Sequence, residues 1–315
     1  MKFGEIFTEY LQGEKERFLI NCSHVEYKRL KKVLKRCRTS DAKNIDQHSC
    51  QFCDETFFTE LMKEASDVAG CFRSRVRRLL HLHSAPGVQR CLVPFRQCFR
   101  NDHQAMVQEC GLLIKYVAMN AIAMRKILKK YDKVHGSANG MKFKSKLHSE
   151  HIEILQTPWL IELGAFYLNS DESVGENSGV FDSFSCEFDT LESLMVLTLP
   201  GPVKLEYNLT CAVCLDLVFN PFALSCGHLF CKSCACSAAS VMIFQGLKTA
   251  NAEAKCPICR EAGVYASAVH MVELHMLVKN RCNEYWKERV VGERAETVKQ
   301  SKTYWDMQTK NMIGY

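Results

Sequence analysis

Eight side chains able to bind a metal follow one another between Cys211 and Cys259, in the order Cys-x2-Cys, Cys-x-His-x2-Cys-x2-Cys, Cys-x2-Cys. They are Cys211, Cys214, Cys226, His228, Cys231, Cys234, Cys256 and Cys259. Tetrahedral zinc takes four thiolate or imidazole ligands, and a two-residue spacer lets both thiolates of one tight turn reach the same ion. Four such half-sites make two zinc ions. The segment is too poor in apolar residues to build a core alone, so metal binding must supply much of its folding free energy. One structural zinc is worth about 10–16 kcal/mol in finger peptides, more than packing adds on this scale. Cys236 is left over; the two-residue gap from Cys231 favours Cys234 as the ligand, with Cys236 as its possible substitute.

This ligand order resembles the RING finger; a plain zinc scaffold or a PHD or LIM finger, with the His elsewhere in the order, is the alternative. The resemblance implies interleaved sites. Cys211, Cys214, Cys231 and Cys234 then take one zinc, and Cys226, His228, Cys256 and Cys259 the other. RING domains dock a ubiquitin-conjugating enzyme on apolar side chains of the two zinc loops. By position those are Val213, before the second ligand, and Pro257 and Ile258 in the Cys256–Cys259 turn. Arg260 follows the last ligand, where many such ligases place a cation that bridges the conjugating enzyme and its ubiquitin. A guanidinium fork can donate to both proteins with fixed geometry, which lysine cannot. The Trp common past the sixth ligand is Ala238 here, followed by Val241, Met242, Ile243 and Phe244. The implied mechanism is positioning of an activated thioester, worth up to about 7–11 kcal/mol, with no covalent ligase intermediate. The spare cysteines read as small buried hydrophobes and offer no nucleophile.

Charge divides the chain. Residues 1–146 carry 28 Lys and Arg against 15 Asp and Glu, a net +13; residues 147–203 carry ten acids and no bases; the remainder is +3, within a total of +6. A basic domain, an acidic connector and a near-neutral zinc module are separate electrostatic objects. The stretch Asn169 to Thr190, rich in Ser, Gly, Asp and Glu, is expected to be disordered, either a solvated tether or a competitor that folds back on the basic domain. The opening residues lack an apolar signal core, no apolar run reaches the ~18 residues of a membrane span, and zinc thiols point to a reducing compartment. The expectation is an intracellular protein, in the cytosol or nucleus.

Helical periodicity fills the first part. Met106, Cys110, Leu113, Val117, Met124 and Leu128 share one face, in a helix opened by Pro94 and stopped near Gly136. Further helices are expected at Lys2–Gln12, His24–Arg38 and Cys53–His83, with Leu155–Leu168 closing an antiparallel bundle. The fold class is mainly α: that bundle, a small α+β two-zinc finger, and C-terminal helices. Past Val264, the stripe Met271, Leu274, Val278, Cys282 and Tyr285 either packs on its own domain or joins a second copy as a homodimer. Tyr304 and Trp305 suggest a small contact surface, and His48, Cys50 and Cys53 read as a loop entering a helix rather than half a metal site.

Lys126, Lys129, Lys130 and Lys133 stack on one helical stripe, and Tyr27 and Lys31 stand one turn apart within Tyr27-Lys28-Arg29-Leu30-Lys31-Lys32. Like charges so placed repel by a few tenths of a kcal/mol per pair. Either this is an ordinary solvated face or it awaits a polyanion. With the opening Met1-Lys2-Phe3-Gly4, these two segments resemble the three signatures of an SPX domain, covering about residues 1–168. That resemblance implies binding of inositol polyphosphates or pyrophosphates by Tyr27, Lys31 and Lys129, with Lys126, Lys130 and Lys133 alongside and Lys2 near the amino terminus.

The expected division is an SPX domain at 1–168, a connector at 169–204, a RING at 205–264 and a helical extension at 265–315. An SPX domain followed by a RING resembles the plant ubiquitin ligases of the nitrogen limitation adaptation, or benzoic acid hypersensitive, type. The family implies two zinc ions, a ubiquitin-conjugating enzyme carrying ubiquitin, inositol pyrophosphate as regulator, and plasma-membrane phosphate or nitrate transporters as substrates. A nucleic-acid partner is not expected, since Cys2His2 spacing and basic-aromatic interleaving are absent. The competing class is a non-enzymatic phosphate-sensing adaptor with a structural zinc module.

Overall fold

The computed structural model describes residues 3–14, 22–40, 51–84, 96–149, 158–171, 185–199 and 203–313. They fall into two compact units, with α1–α5 in the first and α6 onward in the second.

In the first unit, α1 (Phe3–Glu14), α2 (Tyr27–Ser40), α3 (Gln51–Ser84), α4 (Arg96–His135) and α5 (Asn139–Ser149) form a helical bundle. Pro94, expected to open α4, and His48 and Cys50 lie outside the described residues. Helices α3 and α4 run antiparallel: Phe57, near the start of one, packs on Tyr131, near the end of the other, with ring centroids 4.9 Å apart. Of the anticipated stripe, Cys110, Leu113, Val117, Met124 and Leu128 are buried and Met106 is half-buried. Ile114, Tyr116, Ala118 and Asn120 are buried as well, which widens the buried surface beyond the stripe, because α4 is the central helix and packs on α2, α3 and α5. A buried amide needs partners. Asn120 accepts from the Val25 N–H (2.9 Å) and donates to the Tyr116 carbonyl (2.8 Å), while the Tyr116 hydroxyl donates to the Ser23 carbonyl (2.6 Å). These bonds tie the lead-in to α2 onto α4. Cys22 in the same lead-in is joined by a disulfide to Cys71 of α3, 49 residues away. Spare cysteines treated as packing residues give no hint of that pair.

The corner between α4 and α5 is built on a side chain. Asp132 accepts the Gly140 N–H at 2.7 Å, and Gly136 has φ +57, the left-handed conformation that glycine adopts without cost. A Cβ on Gly140 would lie 2.8 Å from both Asp132 carboxylate oxygens and from the Leu128 carbonyl. Gly140→Ala is therefore expected to lower stability by about 1–3 kcal/mol, as overpacking does. Denaturant unfolding followed by circular dichroism measures it, and an unchanged midpoint contradicts this close approach.

The second unit opens with α6 (Pro158–Asp171), followed by β1 (Ser185–Asp189), β2 (Leu194–Leu199) and β3 (Val203–Asn208), three strands in the order β1-β2-β3. Two expectations are corrected here. The helix expected over Leu155–Leu168 to close the bundle is described from Pro158 onward as α6, and it packs on β1 and on α8 (Val272–Arg281) of its own unit. Its Glu162 is the reason: this buried carboxylate accepts the N–H groups of Glu273 (2.8 Å) and Leu274 (3.2 Å) in the first turn of α8, where unpaired donors require acceptors. Burial pushes its carboxyl up to about 8. The stretch Asn169–Thr190, expected to be disordered, is structured at both ends, since α6 runs to Asp171 and β1 pairs antiparallel with β2 from Ser185↔Thr198 to Asp189↔Leu194. Cys186, Met195 and Leu197 bury one face of the hairpin, and the Asp189 carboxylate accepts the Leu191 and Glu192 N–H groups across its turn. Residues 172–184 lie outside the described ones.

Beyond β3 come β4 (Pro221–Ala223), β5 (Leu229–Cys231), α7 (Lys232–Ala238), β6 (Val269–His270), α8 and α9 (Asn283–Ile313). The tail stripe is split between α8 and α9, and its Met271, Leu274 and Val278 are buried. Tyr304 packs edge-on against Phe244 at 5.6 Å, whereas Trp305 is exposed. Among the described residues no helix is long and apolar enough to cross a membrane.

Candidate metal centre

Two tight turns of the same construction carry the outer ligand pairs. In the first, the Leu215 N–H donates to the Cys211 carbonyl (2.8 Å) and the Cys211 N–H to the Asp216 carbonyl (2.8 Å). In the second, Arg260 donates to Cys256 (2.9 Å) and Cys256 to Glu261 (2.9 Å). Each turn closes through a left-handed residue just past its second cysteine, Leu215 at φ 63 and Arg260 at φ 60. Side chains reach that conformation at a cost of about 1–2 kcal/mol, so the turn geometry must impose it.

The inner ligands come from a small antiparallel sheet, β5-β4-β6. Its β4–β5 turn holds Cys226 and His228, with Gly227 between them at φ 85. Cys231 ends β5 and Cys234 sits in α7, which starts at the next residue.

The eight side chains gather into two groups, Cys211, Cys214, Cys231 and Cys234, and Cys226, His228, Cys256 and Cys259, with the donor atoms of each group within 4.8 Å of one another. This is the interleaved arrangement. The spacings test the fit to a metal. A zinc tetrahedron with 2.3 Å Zn–S bonds has S···S edges of about 3.8 Å, and with an imidazole nitrogen N···S edges of about 3.5 Å. Cys214 Sγ lies 3.7 Å from Cys231 Sγ, and His228 Nδ1 lies 3.4 Å from Cys226 Sγ and 3.6 Å from Cys256 Sγ. The donor sets fit two zinc ions, with Nδ1 as the histidine ligand atom. Burial pushes the Cys226 thiol up, and hydrogen bonding to the Cys211 thiolate does so for Cys234, to about 12, as expected where clustered thiolates need a cation. Cys236 belongs to neither group: it is fully buried, and burial raises its thiol to about 11.

Around the two turns, apolar side chains face solvent. Val213 is 44% exposed, Ile258 48% and Leu215 76%, with Pro257 and Arg260 also exposed. Leu215 was missed from sequence, although it follows Cys214 as Arg260 follows Cys259. Of the residues near the missing Trp, Ile243 is buried and its N–H donates to Gln300 Oε1 of α9, Val241 and Met242 are half-buried, and Phe244 is the most exposed.

In the first unit the basic helices α2 and α4 pack together. Phe3 of α1 joins their anticipated residues: its ring meets that of Tyr27 edge-on at 5.3 Å, and Lys126 Nζ lies 4.4 Å from its centroid. Tyr27 is buried along its ring, and burial raises its hydroxyl above the ordinary value. Lys31, Lys129 and Lys133 are exposed and Lys130 is half-buried; Lys2 lies outside the described residues. Arg29 turns away to Glu60 (3.1 Å) and Glu64 (3.3 Å) of α3. Asp132, the one acid near the lysine stripe, is engaged by Gly140.

Comparison with known proteins agrees with the zinc chemistry and extends over the chain. The RING-type zinc-finger family matches residues 211–257. A probable E3 ubiquitin-protein ligase BAH1-like of Arabidopsis thaliana is 58% identical over the whole of both chains. A probable E3 ubiquitin-protein ligase BAH1-like 1 of Oryza sativa subsp. indica is 55% identical, and the E3 ubiquitin-protein ligase NLA of Arabidopsis thaliana 46%, again over full lengths.

Proposed function

This chain belongs to the plant family of BAH1-like and NLA E3 ubiquitin-protein ligases, and from that premise we propose that it is a RING-type ligase regulated through an SPX bundle. The observation that carries the ligase half is the pair of interleaved zinc groups, each offering an exposed apolar turn. The zinc ions hold those turns rigid and take no part in bond making. Val213 from the first turn and Pro257 and Ile258 from the second would dock the ubiquitin-conjugating enzyme, with Leu215 extending the surface. Arg260, held outward by its left-handed backbone, would bridge that enzyme and its ubiquitin, which restricts the thioester to reactive orientations.

For the other half we assign inositol polyphosphates or pyrophosphates to Tyr27, Lys31 and Lys129, flanked by Lys126, Lys130, Lys133 and Lys2. Support comes from α2 and α4 packing together and from Phe3 bridging Tyr27 and Lys126. The SPX bundle of α1–α5 would recruit substrates, plasma-membrane phosphate or nitrate transporters, with α6 and the β1-β2-β3 hairpin strands standing with the RING at 205–264 and the extension at 265–315 in the second unit.

Reconstitution with a conjugating enzyme tests the ligase half. Val213→Ala and Arg260→Ala should each slow ubiquitin chain formation about tenfold or more, the scale of a central interface residue, while two zinc ions per chain remain. Full activity in both variants favours the non-enzymatic adaptor.

A further inference from the structure

We propose that Arg289 of α9 is a positioning residue for the first zinc site, donating N–H···S hydrogen bonds to two of its thiolates and making the C-terminal helix a working part of the zinc module. Its Nη2 lies 3.8 Å from Cys214 Sγ and 3.8 Å from Cys231 Sγ, and its Nη1 lies 3.4 Å from Asp216 Oδ2. The guanidinium lies near two aromatic rings, 5.8 Å from the Phe219 centroid and 5.9 Å from that of Tyr285. Neighbouring anchors fix the helix: the Tyr285 hydroxyl donates to the Leu217 carbonyl, and Asn220 Nδ2 donates to Glu293 Oε1 at 2.9 Å. The Phe219 N–H adds a backbone donor to Cys231 Sγ at 3.2 Å.

Charge explains why this site needs a cation. Zinc with four thiolates carries a net −2, and zinc with three thiolates and an imidazole carries −1. The first site is the four-thiolate one, and Asp216 stands beside it. A guanidinium keeps its charge at any physiological pH, and its planar fork can serve Asp216 with one arm and two sulfurs with the other. Among the described residues no cationic side chain donates to the sulfurs of the second site. The two sites therefore differ in their outer partners, and the difference follows their charge. Groups that hydrogen-bond to metal ligands typically govern metal affinity by about 10–100-fold.

The inference rests on the zinc groups alone. A further step, that a firm Cys214 keeps Val213 and Leu215 in place, depends on the ligase reading and is not what the test measures.

Full-length protein is exposed to a chromogenic zinc chelator and to an alkylating agent, with each modified cysteine quantified by mass spectrometry. Arg289→Ala should speed alkylation of Cys214 and Cys231, and release of one zinc per chain, about 10–100-fold, leaving Cys226, Cys256 and Cys259 unchanged. Arg289→Lys should recover part of the protection. If Arg289→Ala does not fold, Arg289→Gln, neutral and of similar length, carries the same readout. Asn220→Ala removes a helix anchor that touches no sulfur, and should leave the first site's rate as it is. Equal rates in Arg289→Ala and the parent, equal acceleration at both sites, or an Asn220→Ala effect as large as that of Arg289→Ala would each overturn the proposal. Ubiquitin transfer enters none of these measurements, so failure of the ligase reading would look different.

Discussion

Removal of both zinc ions by a strong chelator unfolds residues 209–270 while the helices of the first unit keep their circular dichroism signal. The module does bury apolar side chains, among them Leu209, Val218, Phe219, Phe230, Ile243, Leu247 and Tyr265. Its regular structure is slight, however, with β4 and β5 of three residues each, β6 of two and α7 of seven. Two structural zinc ions contribute about 10–16 kcal/mol each, against a typical net stability of about 5–15 kcal/mol for a whole domain. Without the ions, clustered thiols repel or protonate, and the turns at Leu215 and Arg260 lose what imposes their left-handed backbone. Limited proteolysis reads the result: cleavage should appear between Cys211 and Cys259 on chelation and vanish when zinc is restored. A module that stays protease-resistant and folded after both ions are gone would falsify the dominant role of metal. Cys231→Ser should reproduce half of this, since it strips the buried ligand that also receives Phe219 and Arg289.

The zinc ligands could be found from sequence because metal turns are local: a spacing of one or two residues suffices to define each half-site. Helices α2, α3 and α4 were legible for a similar reason, as an apolar stripe of period 3.6 repeats over many turns. What the chain concealed depends on contacts between distant residues. Glu162 reads as one acid in an acidic stretch until its carboxylate meets the Glu273 N–H, 111 residues away, and attaches α6 to the second unit. Strand β1 sits in the stretch whose composition signals disorder, yet Cys186 finds a buried face with Met195 and Leu197 of β2. Arg289 lies in a helix whose charges look solvated, and nothing in its own neighbourhood predicts the sulfurs of Cys214 and Cys231. The lysine stripe was visible, but the long-range partners of its neighbours were not: Asp132 accepts the Gly140 N–H at the α5 corner, while Glu60 and Glu64 hold Arg29.

That lysine stripe leads to the second large effect. Replacing Lys31 and Lys129 together by Ala should lower affinity for an inositol pyrophosphate at least a hundredfold in calorimetry. A hydrogen bond to a charged group is worth about 1.5–3 kcal/mol, so two lost contacts amount to about 3–6 kcal/mol before coupling between them is counted. Both side chains are exposed, on helices that pack against each other, so truncation should leave the bundle folded. Because exposed charges are screened beyond about 8 Å at physiological ionic strength, parent affinity should fall steeply as salt rises, and the double variant should show a shallower dependence. Arg29→Ala provides the contrast within the same basic segment. Its guanidinium already pairs with Glu60 and Glu64, so its loss should cost some stability and little ligand affinity. Tyr27→Phe keeps the ring that packs on Phe3 and removes only the hydroxyl, isolating one directional contact. If the double lysine variant binds as the parent does while Arg29→Ala does not, the anion sits toward α3 rather than on the face between α2 and α4.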